Sequence, residues 1–598
     1  MTKVLDYPFD GDYLLKKKRS IRRELLADEG RKFTDKKIAI LCGSTADDVK
    51  DLLQLFLLDN GIRPDFYMSE YNKYWEDVMF DNPELVEFAP DVIYIHTTTR
   101  NILKFPTVKD SPEDIEALLE ETFGRFAAMW DKIASSLKCP VIQNNFEQPF
   151  YRLLGNSDVS NIHGKLNFVN RLNEKLYEYA RTHDNFYIND VNYMASCYGL
   201  QKWADSFYWH MYKYAMAVPA IPEFAYNLAN IIKSIYGKNK KAFVLDLDNT
   251  LWGGIIGDDG PENIEIGQET PKAQLYSEFQ SYIKEHKDLG IVLNVDSKND
   301  EDKAVEGFQR PDSVLKLDDF LIFKANWNPK DRNLIEIADE INIGEDSLVF
   351  VDDNPAERHI VKSQVPSAAV PDIGEPQSYI PILDRCGFFE VTNFSADDLK
   401  RNEMYKANVE RKRQQASFAD YKDYLVSLEM TAEIGSFPEM YMARISQLSN
   451  KSNQFNLTTK RCSLADIQNF TADPAYVTLY GKLIDKFGDN GVVAVTFGHA
   501  EGETLHIDLW LMSCRVLKRD MEKAMLDKLV ERCKDKGVKE IRGYYYPTPK
   551  NNMVREFYAE MGFEKVSEDE DGNSEWVMQI EGYEPMNEVI EVVDTDKE

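Results

Sequence analysis

Apolar residues come in short unbroken runs, separated by longer stretches in which they recur every three or four positions. From Lys36, KKIAILCGSTADDVKDLLQLFLLDNG reads as a buried strand, a small-residue turn and an amphipathic helix. Strand signals follow in RPDFYMS, DVIYIHTTT, PVIQNNF and NFYINDVN. This alternation predicts a parallel, doubly wound sheet over residues 36–238, after a lead segment at 1–35. The rhythm returns in KKAFVLDLDNT, GIVLNVDSKND and SLVFVDDNP, a second α/β domain over 239–394. Between these runs Leu275, Tyr276, Phe279, Tyr282 and Ile283 share one helical face, which should cover the sheet. Residues 395–430 are charged and lack Pro and Gly, predicting one connecting helix. Over 431–583, TLHIDLWLMS alternates with Leu505, Ile507, Leu509 and Leu511 on one face and leads into a helix at Met521 to Cys533. Residues 584–598 read as a frayed acidic tail.

A chain of 598 residues exceeds one core, since single cores stop growing near roughly 250 to 300 residues. Three domains are expected. With 71 Lys and Arg against 102 Asp and Glu, the net charge of -31 excludes a nucleic-acid partner, which needs a basic footprint. The seven cysteines are scattered without metal-ligand spacing and read as reduced thiols. The basic N-terminus has no apolar region behind it, and no run approaches about 18 apolar residues. A cytoplasmic protein without membrane insertion is the expectation.

In doubly wound sheets ligands lie outside the carboxyl ends of the strands. After FVL come Asp246, Asp248 and Thr250; after IVLNV come Asp296, Ser297, Lys298 and Asn299; after LVFV come Asp352 and Asp353. Two carboxylates at i and i+2 suit covalent phosphoryl transfer, with Asp246 attacking phosphorus and Asp248 protonating the leaving oxygen and then activating water. An anion attacking an anion needs charge compensation. Mg2+ held by Asp246, the Asp248 carbonyl and Asp353, with Asp352 beside it, would supply it. Lys330 would add a fixed cation and Ser297 a hydrogen bond to a phosphoryl oxygen, with Thr250 and Asn299 contacting substrate.

VLDLDNTLWGG, DSKND, WNPK and VFVDDNPAER together resemble the haloacid-dehalogenase (HAD) superfamily, specifically its FkbH-like, HAD-IIIC branch. The resemblance implies an α/β protein of three domains: an SGNH-like (flavodoxin-like) doubly wound sheet, a capless Rossmann-like HAD phosphatase domain and a GNAT-like α+β domain. Only a short hairpin fits between Thr250 and the helix near Pro271. An open site and a bulky substrate, or closure by a neighbouring domain, follow.

For the first domain, the SGNH-like resemblance places Ser44 as nucleophile, Asn144 or Asn145 as oxyanion donor, and Asp205 with His210 as the rest of a triad. The turn reads GST rather than GDS, and Asp205 to His210 is wider than DxxH. Those departures favour a degenerate, substrate-binding or docking domain. For the last domain, the GNAT-like resemblance places a candidate site at Cys514, Arg515 and Tyr558. A CoA pyrophosphate would need a Gly-rich turn at a helix N-terminus, where Lys518 and Asp520 stand instead. Asp520 sets a carboxylate in the phosphate position and also suits a helix N-cap. Acetyl-CoA is therefore disfavoured, and the polar NQFNLTT reads as a binding surface.

The resemblance implies removal of phosphate from a glyceryl donor and loading of the acyl group onto an acyl carrier protein. A cysteine normally precedes the motif serine there; Asp296 stands in its place and cannot form a thioester. The first reading is hence a Mg2+-dependent phosphatase or phosphotransferase acting on a phosphorylated, small-molecule or carrier-linked intermediate. The alternatives are a glyceryl or acyl transferase serving a carrier protein, and a scaffold with one active module.

Overall fold

The computed structural model describes residues 4–392, 399–415, 417–452, 454–513, 516–548 and 551–597. The chain divides into two compact units, Met1–Ile235 and Tyr236–Glu598.

In the first unit, strands β1 (Thr34–Cys42), β2 (Ile62–Met68), β3 (Val92–His96), β4 (Val141–Asn144) and β5 (Phe186–Asn189) form a parallel sheet in the order β2-β1-β3-β4-β5. This is the doubly wound order of flavodoxin-like folds. Every residue of β3 and β4 is buried, as strands covered on both faces require. Residues 1–35 are not a mere lead segment: helix Gly11–Ala27 buries Leu14, Ile21 and Leu25, and Lys18 pairs with Asp48 at 2.5 Å and Asp51 at 2.9 Å. Its 3.6-residue spacing of apolar positions makes it part of the core.

The second unit begins with a parallel sheet of β6 (Ala242–Leu245), β7 (Val292–Ser297), β8 (Ile322–Ala325) and β9 (Leu348–Val351), ordered β8-β7-β6-β9. Leu245 is level with Val295 and with Val351, so the residues after these three strands emerge side by side at one rim. The helix Pro271–Asp288 packs Tyr276, Phe279 and Ile283 on this sheet.

The expected connecting helix is two helices, Arg401–Gln415 and Tyr421–Ser427. Asp420 starts the second by accepting from the backbone N-H of Lys422 and Asp423, a capping signal that absence of Pro and Gly had hidden. Residues 395–398 and 416 of that expectation lie outside the described residues. Tyr405 and Val409 of the first helix join the core beneath β6 and β9.

The remainder is a nine-stranded mixed sheet. Its strands are β10 (Met430–Gly435), β11 (Phe455–Asn456), β12 (Tyr476–Asp485), β13 (Gly488–Glu501), β14 (Thr504–Met512), β15 (Glu540–Tyr545), β16 (Glu564–Glu568), β17 (Ser574–Gln579) and β18 (Ile590–Asp594). Their order is β16-β17-β15-β14-β13-β12-β10-β18, with β11 on β14. Leu505, Ile507, Leu509 and Leu511 of β14 do not share a face. Phe497 faces Leu509 while Gly498 faces Ile507, so Asp508 is an extra residue, and a bulge inverts the alternation. Leu505 and Ile507 pack with Trp510 and Met512, whereas Leu509 and Leu511 pack with Val495 and Phe497 across the sheet. The tail is likewise structured: β18 pairs in parallel with β10, and Asp594 binds Lys528 at 3.0 Å and Arg532 at 2.6 Å. Backbone pairing and the acidic Asp594 together attach it. Among the described residues no helix is long and apolar enough to cross a membrane.

Candidate active site

The level strand ends of β6, β7 and β9 set the site. Asp246 follows β6, and its backbone N-H donates to the Val351 carbonyl at 2.9 Å. Ser297 Oγ donates to Asp246 Oδ1 at 2.7 Å, and Lys330 Nζ lies 2.8 Å from the same oxygen. Lys330 opens helix Lys330–Ile341 and also contacts Asp352 Oδ2 at 2.6 Å. Burial draws its pKa down, but the charges of Asp246 and Asp352 more than reverse this, so it stays cationic.

Of the expected metal ligands, Asp246, Asp352 and Asp353 each offer an oxygen within 4.8 Å of the others. Burial first, and then the Asp246 charge, raises Asp352 to about 6 and also raises Asp353. Anionic oxygens crowded enough to oppose one another's ionisation suit a hard divalent cation such as Mg2+. The Asp248 carboxylate is not in this cluster. Its Oδ1 accepts from Trp252 Nε1 at 2.9 Å and the Ile256 N-H at 3.1 Å, and its Oδ2 from Asn299 Nδ2 at 2.9 Å. Burial raises its pKa against these bonds, which suits a proton donor more than a ligand.

Thr250 and Asn299, expected to touch substrate, are buried and act through neighbours. Thr250 Oγ1 accepts from the Asp353 N-H at 3.1 Å, and Asn299 joins Asp248 to Ser297. The turn after Asp248 takes φ 56° at Asn249, whose carbonyl accepts from Tyr379 OH at 2.8 Å. Trp252 is fully buried and fits because Gly307 leaves room, an added Cβ there lying 2.8 Å from the indole.

Several participants carry no motif of their own. Arg358 donates to the carbonyls of Asp352 and Asp353 at 2.8 and 2.6 Å, fixing the acidic turn. Trp327 is 70% exposed at the rim, with Nε1 donating to Asp300 Oδ1 at 3.0 Å. Its place three residues before Lys330 and its tether one residue after Asn299 were the available signals. Between β7 and helix Glu301–Gln309 no domain intervenes, and after β6 there is only helix Ile256–Asp259.

Asp296, at the position of the missing thiol, is wholly buried. Its Oδ1 accepts from Asn333 Nδ2 at 2.9 Å and its Oδ2 has no partner. Burial lifts its pKa to about 8, only partly offset by Asn333 and Lys330. The folded protein keeps this proton while the unfolded chain releases it near pH 4, so the group costs stability progressively as pH rises from about 4 to 8. Asp296→Asn keeps the shape without the titration. Denaturant unfolding at pH 8 should show a gain on the order of a few kcal/mol, at about 1.4 kcal/mol per unit as an upper limit, and a several-fold smaller gain at pH 5. Equal gains at both pH values would contradict this.

The other two expected sites are not assembled. Ser44 Oγ is buried without a hydrogen-bond partner, Asp205 accepts from the N-H of Phe207 and Tyr208 as a helix cap, and His210 is exposed. No hydrogen bond joins the three. Asn144 is spent on Tyr94, Thr97 and Asn189, and Asn145 Nδ2 on Tyr177 and Asp190. In the last domain Cys514 and Arg515 lie outside the described residues. Tyr558 is a core aromatic: it is fully buried, its OH lacks a partner, and burial pushes its pKa up.

Lys518 and Asp520 hold φ of 61° and 62°, the conformation glycine favours, and Asp520 makes no cap bond but pairs with Lys523 at 3.0 Å. NQFNLTT is not a binding surface throughout. Phe455, Asn456 and Leu457 are buried; β11 pairs with β14, and Leu457 links the Trp510 carbonyl to the Tyr546 N-H. This segment fills the opening where β14 and β15 diverge.

Residues 37–233 match the family model described as FkbH, N-terminal domain. A crystal structure of the N-terminal part of the protein BF1531 from Bacteroides fragilis, containing a phosphatase domain and complexed with Mg, is 30% identical. It covers 63% of this chain and 99% of its own, with a TM-score of 0.58. The Escherichia coli ribosomal-protein-S18-alanine N-acetyltransferase (11% identity, TM-score 0.20) covers 25% of this chain and 94% of its own. The GNAT domain of S. lividans PAT (13% identity, TM-score 0.21) covers 24% of this chain and 89% of its own. No curated protein matches the sequence.

Proposed function

Since the chain belongs to the FkbH-like family and carries a HAD-type phosphatase-like domain, we propose that it is a Mg2+-dependent phosphatase or phosphotransferase working through an aspartyl-phosphate on Asp246. The observation that carries this reading is the convergence of Ser297 and Lys330 on Asp246 Oδ1, beside the Asp352 and Asp353 carboxylates.

Asp246 forms the oxygen-phosphorus bond as the bond from phosphorus to the leaving oxygen breaks, and Asp248 delivers its proton to that oxygen. Asp248 then takes a proton from water, which attacks phosphorus, releases phosphate and restores Asp246. Lys330 and Ser297 hold the phosphoryl oxygens. Mg2+, held by Asp246, Asp353 and Asp352, would neutralise phosphoryl charge. Asn299 orients Asp248, and Thr250 and Arg358 fix the Asp352-Asp353 turn.

The absence of a cap domain and the exposed Trp327 at the rim support a phosphorylated biosynthetic intermediate larger than its phosphate. Acid quenching during turnover of acetyl phosphate tests the mechanism. One phosphoryl group is expected on the peptide bearing Asp246, in greater amount in Asp248→Asn and absent in Asp246→Asn. Turnover without such an adduct, or an adduct elsewhere, would overturn it.

A further inference from the structure

The approach to Asp248 is bordered by three loops. The Ile256 N-H donates to Asp248 Oδ1 at 3.1 Å and Asn299 Nδ2 to its Oδ2 at 2.9 Å, so the loops after β6 and β7 close on the carboxyl that serves the leaving oxygen. The loop after β8 joins them: the Asn326 N-H donates to the Ser297 carbonyl at 3.0 Å, and Trp327 Nε1 to Asp300 Oδ1 at 3.0 Å. Lys303 carries the connection on to the hairpin, donating to the Gly257 carbonyl at 3.2 Å. Given the phosphoryl-transfer reading, on which this rests, we propose that Trp327 and Asp300 select the leaving group, and that this group is a neutral sugar ring, so that the substrate is a sugar phosphate.

The Trp327 side chain is 70% exposed although its one polar atom is satisfied. An indole pinned at its N-H edge is held in one orientation and leaves a bare, electron-rich face, which attracts the C-H bonds along one side of a sugar ring. Ile255, 46% exposed in the hairpin just before the residue that holds Asp248, adds a second apolar surface. Either alone is ordinary on a protein surface. Together they flank the side from which a leaving group protonated by Asp248 departs.

The polar groups here favour hydroxyls over a second anion. Asp300 is exposed, and a carboxylate accepts from hydroxyls without donating. The lysines around it are committed: Lys303 lies 4.0 Å from Asp300 Oδ2, Lys298 lies 2.6 Å from Glu357, and Lys330 is buried between Asp246 and Asp352. A leaving group with a carboxylate of its own, as in a phosphoglycerate, would meet the charge of Asp300, whereas the hydroxyls of a sugar meet an acceptor.

Kinetics of the full chain with Mg2+ on glucose 1-phosphate, glucose 6-phosphate, glycerol 3-phosphate, 3-phosphoglycerate and acetyl phosphate test this. The better glucose phosphate is expected to exceed glycerol 3-phosphate and 3-phosphoglycerate in kcat/KM by at least ~10-fold. Trp327→Ala should lower that advantage at least ~10-fold, through KM, while Trp327→Phe keeps most of it. Asp300→Asn, which still accepts from the indole but loses the charge, should raise kcat/KM for 3-phosphoglycerate several-fold. Calorimetry with Mg2+ gives a readout independent of turnover: Asp246→Asn should bind the preferred glucose phosphate, and Asp246→Asn with Trp327→Ala at least ~10-fold more weakly. Absence of the sugar advantage, an advantage or affinity that folded Trp327→Ala retains, or no gain for 3-phosphoglycerate in Asp300→Asn would overturn the proposal. Turnover of acetyl phosphate beside any of these results leaves the phosphoryl-transfer reading standing; no turnover of any of the five compounds sinks both.

Discussion

Lys330→Met is expected to reduce kcat/KM for phosphate release by about 10³-fold while the protein stays folded. The side chain is 4% exposed and lies 2.8 Å from Asp246 and 2.6 Å from Asp352, so it is the cation built into a cluster of carboxylates. Methionine keeps most of the volume and loses the charge. Two consequences follow from one change: the phosphoryl oxygens lose a fixed positive partner, and Asp246 and Asp352 face each other uncompensated. Asp352, already raised by burial and by Asp246 in the metal-free chain, should rise further, so that more Mg2+ is needed for the half-maximal rate at acid pH. Steady-state kinetics across pH, with thermal melts beside them, check both. A loss under about tenfold would show that Lys330 is structural.

The largest stability effect is expected at Asp485, in a different part of the same unit. Its side chain is completely buried. It pairs with Arg411 at 2.7 Å and Arg519 at 3.1 Å, and it accepts from the Phe487 N-H at 2.8 Å and Asn490 Nδ2 at 3.2 Å. Asn408 Oδ1 accepts from both arginines at 2.8 and 3.1 Å. Arg411 belongs to the helix Arg401–Gln415, Asp485 ends β12, and Arg519 sits in the turn before helix Met521–Asp535; one carboxylate ties the three together. Burial, and then Arg411, draws the Arg519 pKa down to about 10, against the raising effect of Asp485. Asp485→Ala leaves two buried cations opposed and should cost about 3–5 kcal/mol in urea unfolding. Adding Arg411→Met and Arg519→Met should recover a large part of it. A cost below about 1 kcal/mol would mean that water already compensates the triad.

How much of this was legible beforehand depended on what local patterns can encode. The phosphoryl centre was readable because parallel strands buried on both faces are largely apolar up to their ends, so Asp246, Asp296 with Ser297, and Asp352 stand out as the polar groups directly after each run. What each group faces was not readable. Thr250 and Asn299 serve Asp353, Asp248 and Ser297, and only the packed loops show it. Periodicity failed at β14, where one extra residue at Asp508 inverts every side chain beyond it. It failed again at the tail, since a charged segment looks solvated until Lys528 and Arg532 are found opposite Asp594. Long-range ion pairs leave no periodic trace, and the Asp485 triad joins residues up to 108 positions apart, Arg411 to Arg519.

The GNAT-like resemblance implies a turn at Lys518 and Asp520, but not that it holds φ near 60° without glycine. The segment Phe455–Leu457, polar enough to suggest a surface, is held inside by backbone pairing with β14, a force that side-chain character does not report. Both observations bear on the reading of the last domain. The opening beside β14 is filled by the chain itself, and the turn before helix Met521–Asp535 carries Arg519 inward to Asp485.

Phosphate release from a panel of phosphorylated metabolites, with Mg2+ and with EDTA, for wild type and Asp246→Asn, tests the central claim most directly. Mg2+-dependent release by the wild type, lowered at least ~10³-fold by the substitution, is the predicted result. Release that persists in EDTA, or that Asp246→Asn matches, would contradict it.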